Sequence, residues 1–239
     1  MRTAVIMAAG LGTRFGNYTE LQPKGFIQVD GIPMIIRSIE TLLSCNISRI
    51  LIGTGYKSEA FERLKNEYPQ IETCYSPRYA ETNSMYTLYN MQNEIGNDDF
   101  ILLESDLIFE KKAITSLLDD ERQDIMLISP VIKFQDQYFI EADSNNILTN
   151  CSTNKEELHH INGELVGIHK LSNMFYKKMC NDYETIIKEE PKLGYEYELL
   201  RMSRSISPVH TLKIENLKWY EIDDEADLNY AEKHIIQYC

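Results

Sequence analysis

The sequence predicts an α/β fold with a mixed, mostly parallel sheet, flanking helices and an inserted antiparallel subregion. In the first half, short β-rich runs alternate with helical patterns, which is typical of βαβ units. The run at 100–104 is apolar almost throughout, as expected for a parallel strand that helices cover on both faces. After about residue 125 the strand candidates follow one another closely, which indicates antiparallel strands.

The individual elements are predicted from hydrophobic periodicity. Apolar residues at helical spacing after Pro33, including Ile35, Ile39 and Leu42, predict a helix with proline in its first turn. The predicted strands are 3–8, 49–53, 71–75, 100–104, 125–131, 138–142, 147–150 and 164–169, and the further helices are 58–68, 83–94, 172–188 and one after Asp224. Because the sequence shows neither a repeat nor a linker, residues 1–239 are interpreted as one domain.

The charge balance limits the classes of partner. The chain has 239 residues, and its 24 basic and 37 acidic residues give a formal net charge of −13. A surface with this charge repels nucleic-acid backbones and anionic membranes, and no apolar run reaches the roughly 20 residues that span a bilayer. We therefore expect no nucleic acid and no membrane as partners. Phosphate groups should be met by local cations or by a metal that carboxylates hold.

The cysteines argue against a disulfide framework. The five cysteines, at positions 45, 74, 151, 180 and 239, form no Cys-x-x-Cys pair, and their number is odd. Buried thiols in a reducing compartment explain this pattern better than disulfides or a structural zinc site. The expected location is the cytoplasm, because the apolar segment 4–9 is too short for a signal peptide.

A glycine-rich loop, Ala-Ala-Gly-Leu-Gly-Thr-Arg-Phe-Gly, follows the first predicted strand at residues 8–16. Since glycine has no Cβ, successive backbone N–H groups of such a loop can approach an anion. The dinucleotide fingerprint requires a glycine where Phe15 stands, and the Walker loop requires a Gly-Lys-Ser/Thr that is missing here. The loop is therefore interpreted as a different phosphate cradle, with Arg14 and Lys24 as two separate cations. An ordinary strand-to-helix turn is the alternative.

The longer pattern Gly10-Leu11-Gly12-Thr13-Arg14, followed by Pro23-Lys24 and by 28–35, resembles a nucleotidyltransferase signature. It is similar to the MobA-like and sugar-phosphate nucleotidyltransferases, which couple a nucleoside triphosphate to a phosphorylated small molecule. The resemblance implies the Rossmann-like fold of nucleotide-diphospho-sugar transferases, with 1–124 mainly binding the nucleotide and 125–239 mainly binding the acceptor and supplying a second metal ligand. It also implies that loop amides hold the β and γ phosphates and that Lys24 contacts the α-phosphate.

Two aspartates are the predicted ligands of a magnesium ion. Asp106 follows an apolar strand, at the carboxyl edge where parallel sheets present ligand groups, and Asp223 follows a second β-rich run. Transfer from a nucleotide needs positive charge on the phosphorus oxygens, and Mg²⁺ prefers a few hard carboxylates. Both stretches resemble the metal-binding positions of the family, whereas Glu104 and Glu221 are expected to face elsewhere. A helix or turn cap is the alternative for each aspartate.

The segment 76–86 is predicted to recognise the base. In the enzymes that it resembles, this region uses backbone groups and short polar side chains such as Asn83 and Ser84; a polar loop with a capping residue is the alternative. Resemblance to cytidylyltransferases that activate phosphocholine makes CTP the expected donor. The implied catalytic residues are Lys24, Arg14, Asp106 and Asp223, and the implied nucleotide-binding residues are Ala8, Ala9, Gly10, Leu11, Gly12, Thr13, Arg14, Lys24, Tyr79, Asn83, Ser84 and Ser105.

The acceptor is inferred from charge and resemblance. A primary ammonium needs carboxylate or carbonyl acceptors, whereas a quaternary ammonium is usually held by aromatic faces. The run 163–169 lacks the aromatic residues of the phosphocholine enzymes, and 103–110 and 163–172 are more similar to cytidylyltransferases that activate 2-aminoethylphosphonate. The expected acceptor-binding residues are Glu164, Glu196 and, as the cation for the phosphonate, Lys133. An exposed helix turn at 195–198 and a solvated strand end at Lys133 are the alternatives.

The expected reaction is the transfer of CMP from CTP to 2-aminoethylphosphonate, with Mg²⁺ as cofactor. The anionic phosphonate oxygen is already a nucleophile, so no general base is required. The alternatives are phosphocholine or a sugar phosphate as acceptor, and a non-catalytic nucleotide-sensing domain. Fusion to, or dimerisation with, another pathway domain is left open.

Overall fold

Strands from both halves of the chain build the central sheet. The computed structural model describes residues 1–133 and 137–239. The strands in these ranges are β1 (Thr3–Ala8), β2 (Gln28–Val29), β3 (Ile32–Pro33), β4 (Arg49–Thr54), β5 (Ile71–Tyr75), β6 (Phe100–Glu104), β7 (Leu107–Phe109), β8 (Ile125–Ser129), β9 (Phe139–Ala142), β10 (Leu148–Ser152), β11 (Gly163–Leu171), β12 (His210–Lys213) and β13 (Trp219–Glu221). The helices are α1 (Asn17–Leu21), α2 (Met34–Ser44), α3 (Glu59–Leu64), α4 (Ser84–Asn90), α5 (Gln92–Ile95), α6 (Lys112–Asp119), α7 (Asn173–Ile186), α8 (Tyr195–Ser205) and α9 (Glu225–His234).

The main sheet is mixed and runs in the order β10-β9-β11-β6-β1-β4-β5. Strands β6, β1, β4 and β5 are parallel, as the βαβ pattern predicts. The long strand β11 is antiparallel to β6 on one edge and to β8 and β9 on the other, and β12 is parallel to β8. The predicted mixed sheet with an inserted antiparallel part is therefore confirmed.

The alternating side chains of β1 pack against two separate cores. Ala4 and Ile6 face the layer that contains α2, α3 and α6, whereas Val5 faces the layer of α4, α7 and α8. All six residues of β1 are buried. A strand with helices on both faces needs apolar residues at every position, which explains the continuous hydrophobicity of this strand.

A short antiparallel ribbon of β7 and β13 brings together two segments that are distant in the sequence. Beyond the ribbon, the Ile222 N–H donates to the Asp106 carbonyl over 3.0 Å. Asp106 and Asp223 therefore meet at the carboxyl edge of β6, although they are 117 residues apart.

Some elements differ from their predictions. The helix predicted at 83–94 is interrupted at Met91 and forms α4 and α5. The helices α1, α6 and α8 and the strands β2, β3, β7 and β12 were not predicted. These strands have two to four residues, and their apolar residues lack an alternation long enough to identify them.

Four of the five cysteines are buried thiols, as predicted, and Cys239 is exposed. All five are free. Within the described ranges, none of the helices combines the length and the apolar character that crossing a membrane requires.

The fully buried His169 of β11 makes stability depend on pH. Its ring lies edge-on to that of Tyr195, with centroids 5.3 Å apart, and neither ring nitrogen has a hydrogen-bond partner within the described residues. Burial lowers the pKa of His169 from 6.5 to about 3. As the pH falls below 6.5, His169 is therefore protonated in the unfolded chain but stays neutral in the folded chain. The free energy of unfolding decreases as a result.

Between pH 7 and pH 5, we expect His169 to lower the free energy of unfolding by about 2 kcal/mol. This follows from 1.36 kcal/mol for each pH unit below 6.5. His169→Phe should remove this component because phenylalanine keeps a ring and does not titrate. The check is urea unfolding of both proteins at pH 7, 6 and 5. Parallel pH profiles for the two proteins would contradict the assignment.

Candidate active site

The glycine-rich loop leaves the carboxyl end of β1 and packs against Lys24. Gly12 has a φ of 63°, a left-handed conformation that favours glycine. A Cβ on Gly12 would lie 3.0 Å from Thr19 Cγ2 and 3.1 Å from Lys24 Cβ. The Thr19 hydroxyl also donates to the Gly12 carbonyl over 3.0 Å. The loop conformation and the position of the lysine stem are therefore fixed together.

Replacing Gly12 with alanine is expected to destabilise the fold by about 1–2 kcal/mol, through backbone strain and the two close contacts. Gly10 is the matched control for stability, because its φ is not positive and a Cβ there meets nothing within 4 Å. Denaturant unfolding of the two alanine variants checks this expectation. Equal midpoints would show that the Gly12 conformation does not constrain the loop.

Lys24 bridges the two predicted metal ligands. Its Nζ lies 2.6 Å from Asp106 Oδ2 and 2.6 Å from Asp223 Oδ1, and all three side chains are largely buried. Burial lowers the pKa of the Lys24 ammonium, but the two carboxylates outweigh burial and hold this pKa above its ordinary value. Arg14 adds a second cation, with Nη2 2.7 Å from the same Asp223 oxygen. The predicted catalytic residues therefore form one cluster.

Two further carboxylates belong to this cluster. One ligand oxygen from each of Glu104, Asp106 and Glu221 lies within 4.8 Å of the others. The expectation that Glu104 and Glu221 face elsewhere is wrong: each precedes an aspartate by two residues, and side chains at i and i+2 of an extended chain point to the same side. Burial, followed by the charge of Asp106, raises the pKa of Glu104 well above its ordinary value and that of Glu221 to about 8.

The acidic cluster fits a hard divalent cation. Oxygen ligands suit Mg²⁺, and the other Asp106 oxygen, Oδ1, is buried without a hydrogen-bond partner within the described residues. Asp223 is not the helix cap that the alternative interpretation required. That role belongs to Asp224, whose side chain accepts from the Asp227 N–H at the start of α9. Asp223 is therefore not the cap of α9, and its Oδ1 contacts Lys24 and Arg14.

Two adjoining cavities lie beside the cluster, with volumes of about 200 and 460 Å³. All twelve predicted nucleotide-binding residues line one or both of them. Thr82, Thr87 and Lys192 also line these cavities, although they were not among the predicted nucleotide-binding residues. Lys192 precedes α8 and belongs to no recognisable sequence motif. Thr82 lies inside the segment 76–86, which was predicted to recognise the base.

Asn83 and Ser84 also have structural roles. The Asn83 side chain caps α4 by accepting from the Ser84 N–H over 2.8 Å, and it donates to the Lys192 carbonyl over 3.3 Å. Ser84 Oγ accepts from the Tyr195 N–H over 3.0 Å. The capping interpretation is therefore correct for Asn83, and it does not conflict with a position in the cavity wall.

A third cavity, of about 420 Å³, continues from the first through Asn83, Ser84 and Glu104. Its wall includes Glu196, as predicted for the acceptor site, and Tyr138. The described residues that line it are Arg14, Asn83, Ser84, Glu104, Leu107, Gln137, Tyr138, Thr153, Leu165, Val166, Gly167, Glu196 and Glu221.

Of the carboxyl residues that line this third cavity, Glu196 is buried, and Glu104 and Glu221 are partly buried. Glu196 lies in the first turn of α8, where Tyr195, Glu196 and Glu198 are buried, so the alternative of an exposed turn at 195–198 is wrong. Burial raises the pKa of Glu196 above its ordinary value. The fully buried Tyr195 donates its hydroxyl to Glu104 Oε1 over 2.7 Å and thereby orients that carboxyl group. Tyr195 was not among the predicted site residues.

Glu164 and Lys133 are not among the described residues that line the third cavity. Glu164 is fully buried, burial raises its pKa to about 7, and its Oε2 accepts from the Lys133 N–H over 3.4 Å. The Lys133 side chain is 10% exposed, so a solvated strand end is also wrong. Its ammonium already has two oxygen partners, the Glu221 carbonyl at 2.6 Å and Asp227 Oδ2 at 2.9 Å. Binding of a phosphonate by Lys133 stays a prediction.

Solved structures share this fold over nearly the whole chain. The inositol-1-phosphate CTP transferase from T. maritima superposes with a TM-score of 0.86 at 17% identity, covering 100% of this chain and 96% of that one. The CTP:phosphocholine cytidylyltransferase from Streptococcus pneumoniae gives a TM-score of 0.83 at 23% identity, covering 98% and 99%. At these identities, the likeness establishes the fold.

Two curated cytidylyltransferases match over shorter segments. The 2-aminoethylphosphonate cytidylyltransferase of Lancefieldella rimae is 34% identical over 111 residues, which are 46% of this chain and 45% of that protein. The choline-phosphate cytidylyltransferase of Streptococcus pneumoniae is 40% identical over 94 residues, which are 39% of this chain and 41% of that protein. The matched segments span less than half the length of these two relatives.

The family assignment rests on a longer match. A family model described as the MobA-like NTP transferase domain matches residues 4–164, from β1 to the start of β11. This segment contains the glycine-rich loop, Lys24 and Asp106. Because the match covers more than half of the 239 residues, the chain belongs to the family of MobA-like NTP transferases.

Proposed function

We propose that the chain transfers CMP from CTP to 2-aminoethylphosphonate and releases pyrophosphate. The observation that carries the proposal is the junction of the nucleotide cavities with the third cavity at Glu104, beside the cluster of Lys24 and Asp106. CTP in the nucleotide cavities and an acceptor in the third cavity would meet beside Lys24 and Asp106. The names of the two curated relatives support a cytidylyltransferase.

In the proposed reaction, an anionic phosphonate oxygen attacks the α-phosphorus of CTP. A new P–O bond forms, the bond to the bridging oxygen of the β-phosphate breaks, and pyrophosphate leaves with that electron pair. Lys24 and Arg14 stabilise the negative charge on the phosphates, and the amides of the loop at 9–13 hold the departing groups. No proton has to be removed from the nucleophile, so the site needs no general base.

Asp106 and Asp223 would hold the divalent cation, for which Mg²⁺ is the expected ion. When bound, such an ion supplies positive charge to the phosphate oxygens. Residues 1–124 are proposed to bind mainly CTP, with Tyr79, Asn83 and Ser84 near the base. Residues 125–239 would mainly bind the acceptor and supply Asp223.

We call the third cavity the acceptor cavity. Its charged residues favour a primary ammonium over a quaternary one. Glu104 and Glu196 place one partly buried and one buried carboxyl group in its wall, and Tyr138 is the one aromatic residue among the described residues that line it. A quaternary ammonium needs an aromatic box, whereas a primary ammonium needs oxygen acceptors. Burial raises the pKa of Glu196, and an ammonium bound beside it would lower this pKa again.

Replacing Glu196 with glutamine is expected to raise the KM for the acceptor by about 10- to 100-fold with little change in kcat. One hydrogen bond to a charged group contributes about 1.5–3 kcal/mol, and 1.4 kcal/mol corresponds to a factor of ten. Glu198→Gln is the matched control. Glu198 is a buried carboxyl on the same helix, but it faces Arg201, and burial raises its pKa to about 8.

Glutamine therefore mimics the neutral form that Glu198 already favours, and acceptor KM should stay within about twofold in that variant. Steady-state pyrophosphate release at saturating CTP measures both constants. An unchanged acceptor KM in Glu196→Gln, or an equal rise in both variants, would contradict the role of Glu196 in binding the ammonium.

The proposed function is tested by pyrophosphate release with CTP, Mg²⁺ and a panel of acceptors. The panel contains 2-aminoethylphosphonate, phosphoethanolamine, phosphocholine and sugar phosphates. We expect the highest kcat/KM with 2-aminoethylphosphonate. A preference for phosphocholine or a sugar phosphate would overturn the acceptor, and binding of CTP without release with any acceptor would point to a nucleotide-sensing domain.

A further inference from the structure

Besides Lys24, the Lys133 ammonium contacts the segment 221–223, which carries Asp223. It donates to the Glu221 carbonyl over 2.6 Å and to Asp227 Oδ2 over 2.9 Å. The side chains of Lys133 and Asp227 are 10% and 17% exposed. The Lys133 ammonium also lies over the Tyr220 ring, 4.4 Å from its centroid. A partly desolvated ion pair that also meets an aromatic face is a well-defined geometry.

The same Asp227 oxygen holds the backbone of Asp223. Asp227 Oδ2 accepts from the Asp223 N–H over 3.0 Å. The neighbouring Ile222 N–H donates to the Asp106 carbonyl over 3.0 Å. The backbone of 221–223 is therefore fastened at three consecutive residues, and two of the three bonds involve Lys133 or its partner Asp227. This backbone sets the position of the Asp223 carboxylate.

Lys133 also connects this segment to the acceptor side. Its own N–H donates to the buried Glu164 carboxyl at the start of β11, and Leu165 and Val166, which follow Glu164, line the acceptor cavity. The backbone of Lys133 is thus hydrogen-bonded to Glu164, next to the wall of the acceptor cavity. Its side chain is hydrogen-bonded to the segment that carries Asp223.

We propose that Lys133 and Asp227 are positioning residues that fix Asp223 as a metal ligand and tie it to the acceptor wall. This inference rests on the proposed function for the role of Asp223. The competing hypothesis is the one drawn from the sequence, in which the Lys133 ammonium itself binds the phosphonate. Residues that orient a metal ligand typically change metal affinity or activity by about 10- to 100-fold when they are replaced.

The test compares Lys133→Met, Lys133→Arg and Asp227→Asn in the full chain. Mn²⁺ affinity is measured by electron paramagnetic resonance without substrates, and kcat and acceptor KM by pyrophosphate release. For Lys133→Met and Asp227→Asn we expect Mn²⁺ affinity and kcat to fall by about 10-fold or more, with acceptor KM within about threefold. Lys133→Arg should recover part of both losses because it keeps the charge.

Lys170→Met is the matched control. Its ammonium donates to the Asp120 carbonyl over 2.6 Å near the other end of β11, and we expect no change in Mn²⁺ affinity or kcat. Thermal unfolding of each variant shows whether it is folded, and Asp227→Asn gives the test if the Lys133→Met variant is not.

The outcomes separate the hypotheses. A large rise in acceptor KM for Lys133→Met, with wild-type Mn²⁺ affinity and a wild-type Asp227→Asn enzyme, would overturn the positioning role and favour direct phosphonate binding. Weakened Mn²⁺ binding in a chain that releases no pyrophosphate with any acceptor would support the positioning role while the proposed function fails. Unchanged Mn²⁺ affinity in both variants would overturn the positioning role.

Discussion

Replacing Lys24 with methionine is expected to lower kcat by about 10²- to 10³-fold, the usual effect of removing one donor to charge that develops in the transition state. The same variant should bind Mn²⁺ more tightly than the wild type. In the structure the Lys24 ammonium lies against Asp106 Oδ2 and Asp223 Oδ1, one oxygen of each predicted metal ligand. Without the lysine, two buried carboxylates are left with less positive charge nearby, and a divalent cation relieves their repulsion.

Pyrophosphate release and Mn²⁺ titration measure the two effects of this substitution. Lys111→Met is a suitable control, since that ammonium donates to the Ser44 carbonyl over 2.8 Å, away from the residues that line the cavities. We expect the control to keep kcat within about twofold. Wild-type turnover by the Lys24→Met enzyme would show that Lys24 does not take part in catalysis.

Replacing either predicted ligand, by Asp106→Asn or Asp223→Asn, is expected to abolish pyrophosphate release while the protein stays folded. The loss should reach about 10³-fold or more, because each substitution removes a charge that the metal needs. Asp224→Asn is a closely matched control: it is adjacent in sequence to Asp223, and asparagine is an equally good helix cap. Activity in Asp223→Asn equal to that in Asp224→Asn would contradict the ligand assignment.

Much of the fold could be predicted because the sheet is covered on both faces. The strands β1 and β6 have buried residues at nearly every position, so they form uninterrupted apolar runs in the sequence. The antiparallel strand β11 was found for the same reason. The β-rich run before Asp223 was expected, but its pairing with β7 was not, because three-residue strands that pair across more than 100 residues have no local pattern.

The site was predictable where residues are close in the sequence. The glycine-rich loop and Lys24 form one local pattern, and their predicted neighbours line the same cavities. Glu104 and Glu221 were misplaced, although their i, i+2 spacing to Asp106 and Asp223 contained the signal. The surroundings of Lys133 depend on Asp227, 94 residues away, and spacing along the sequence does not indicate that contact.

The most direct measurement is anomalous diffraction from Mn²⁺ in crystals soaked with CTP. We expect one strong peak bound by carboxylate oxygens of Asp106 and Asp223, with Lys24 displaced toward the α-phosphate and the β and γ phosphates on the amides of the loop at 9–13. A peak at another position, or aspartate side chains that point away from each other beside a bound nucleotide, would contradict the proposed site.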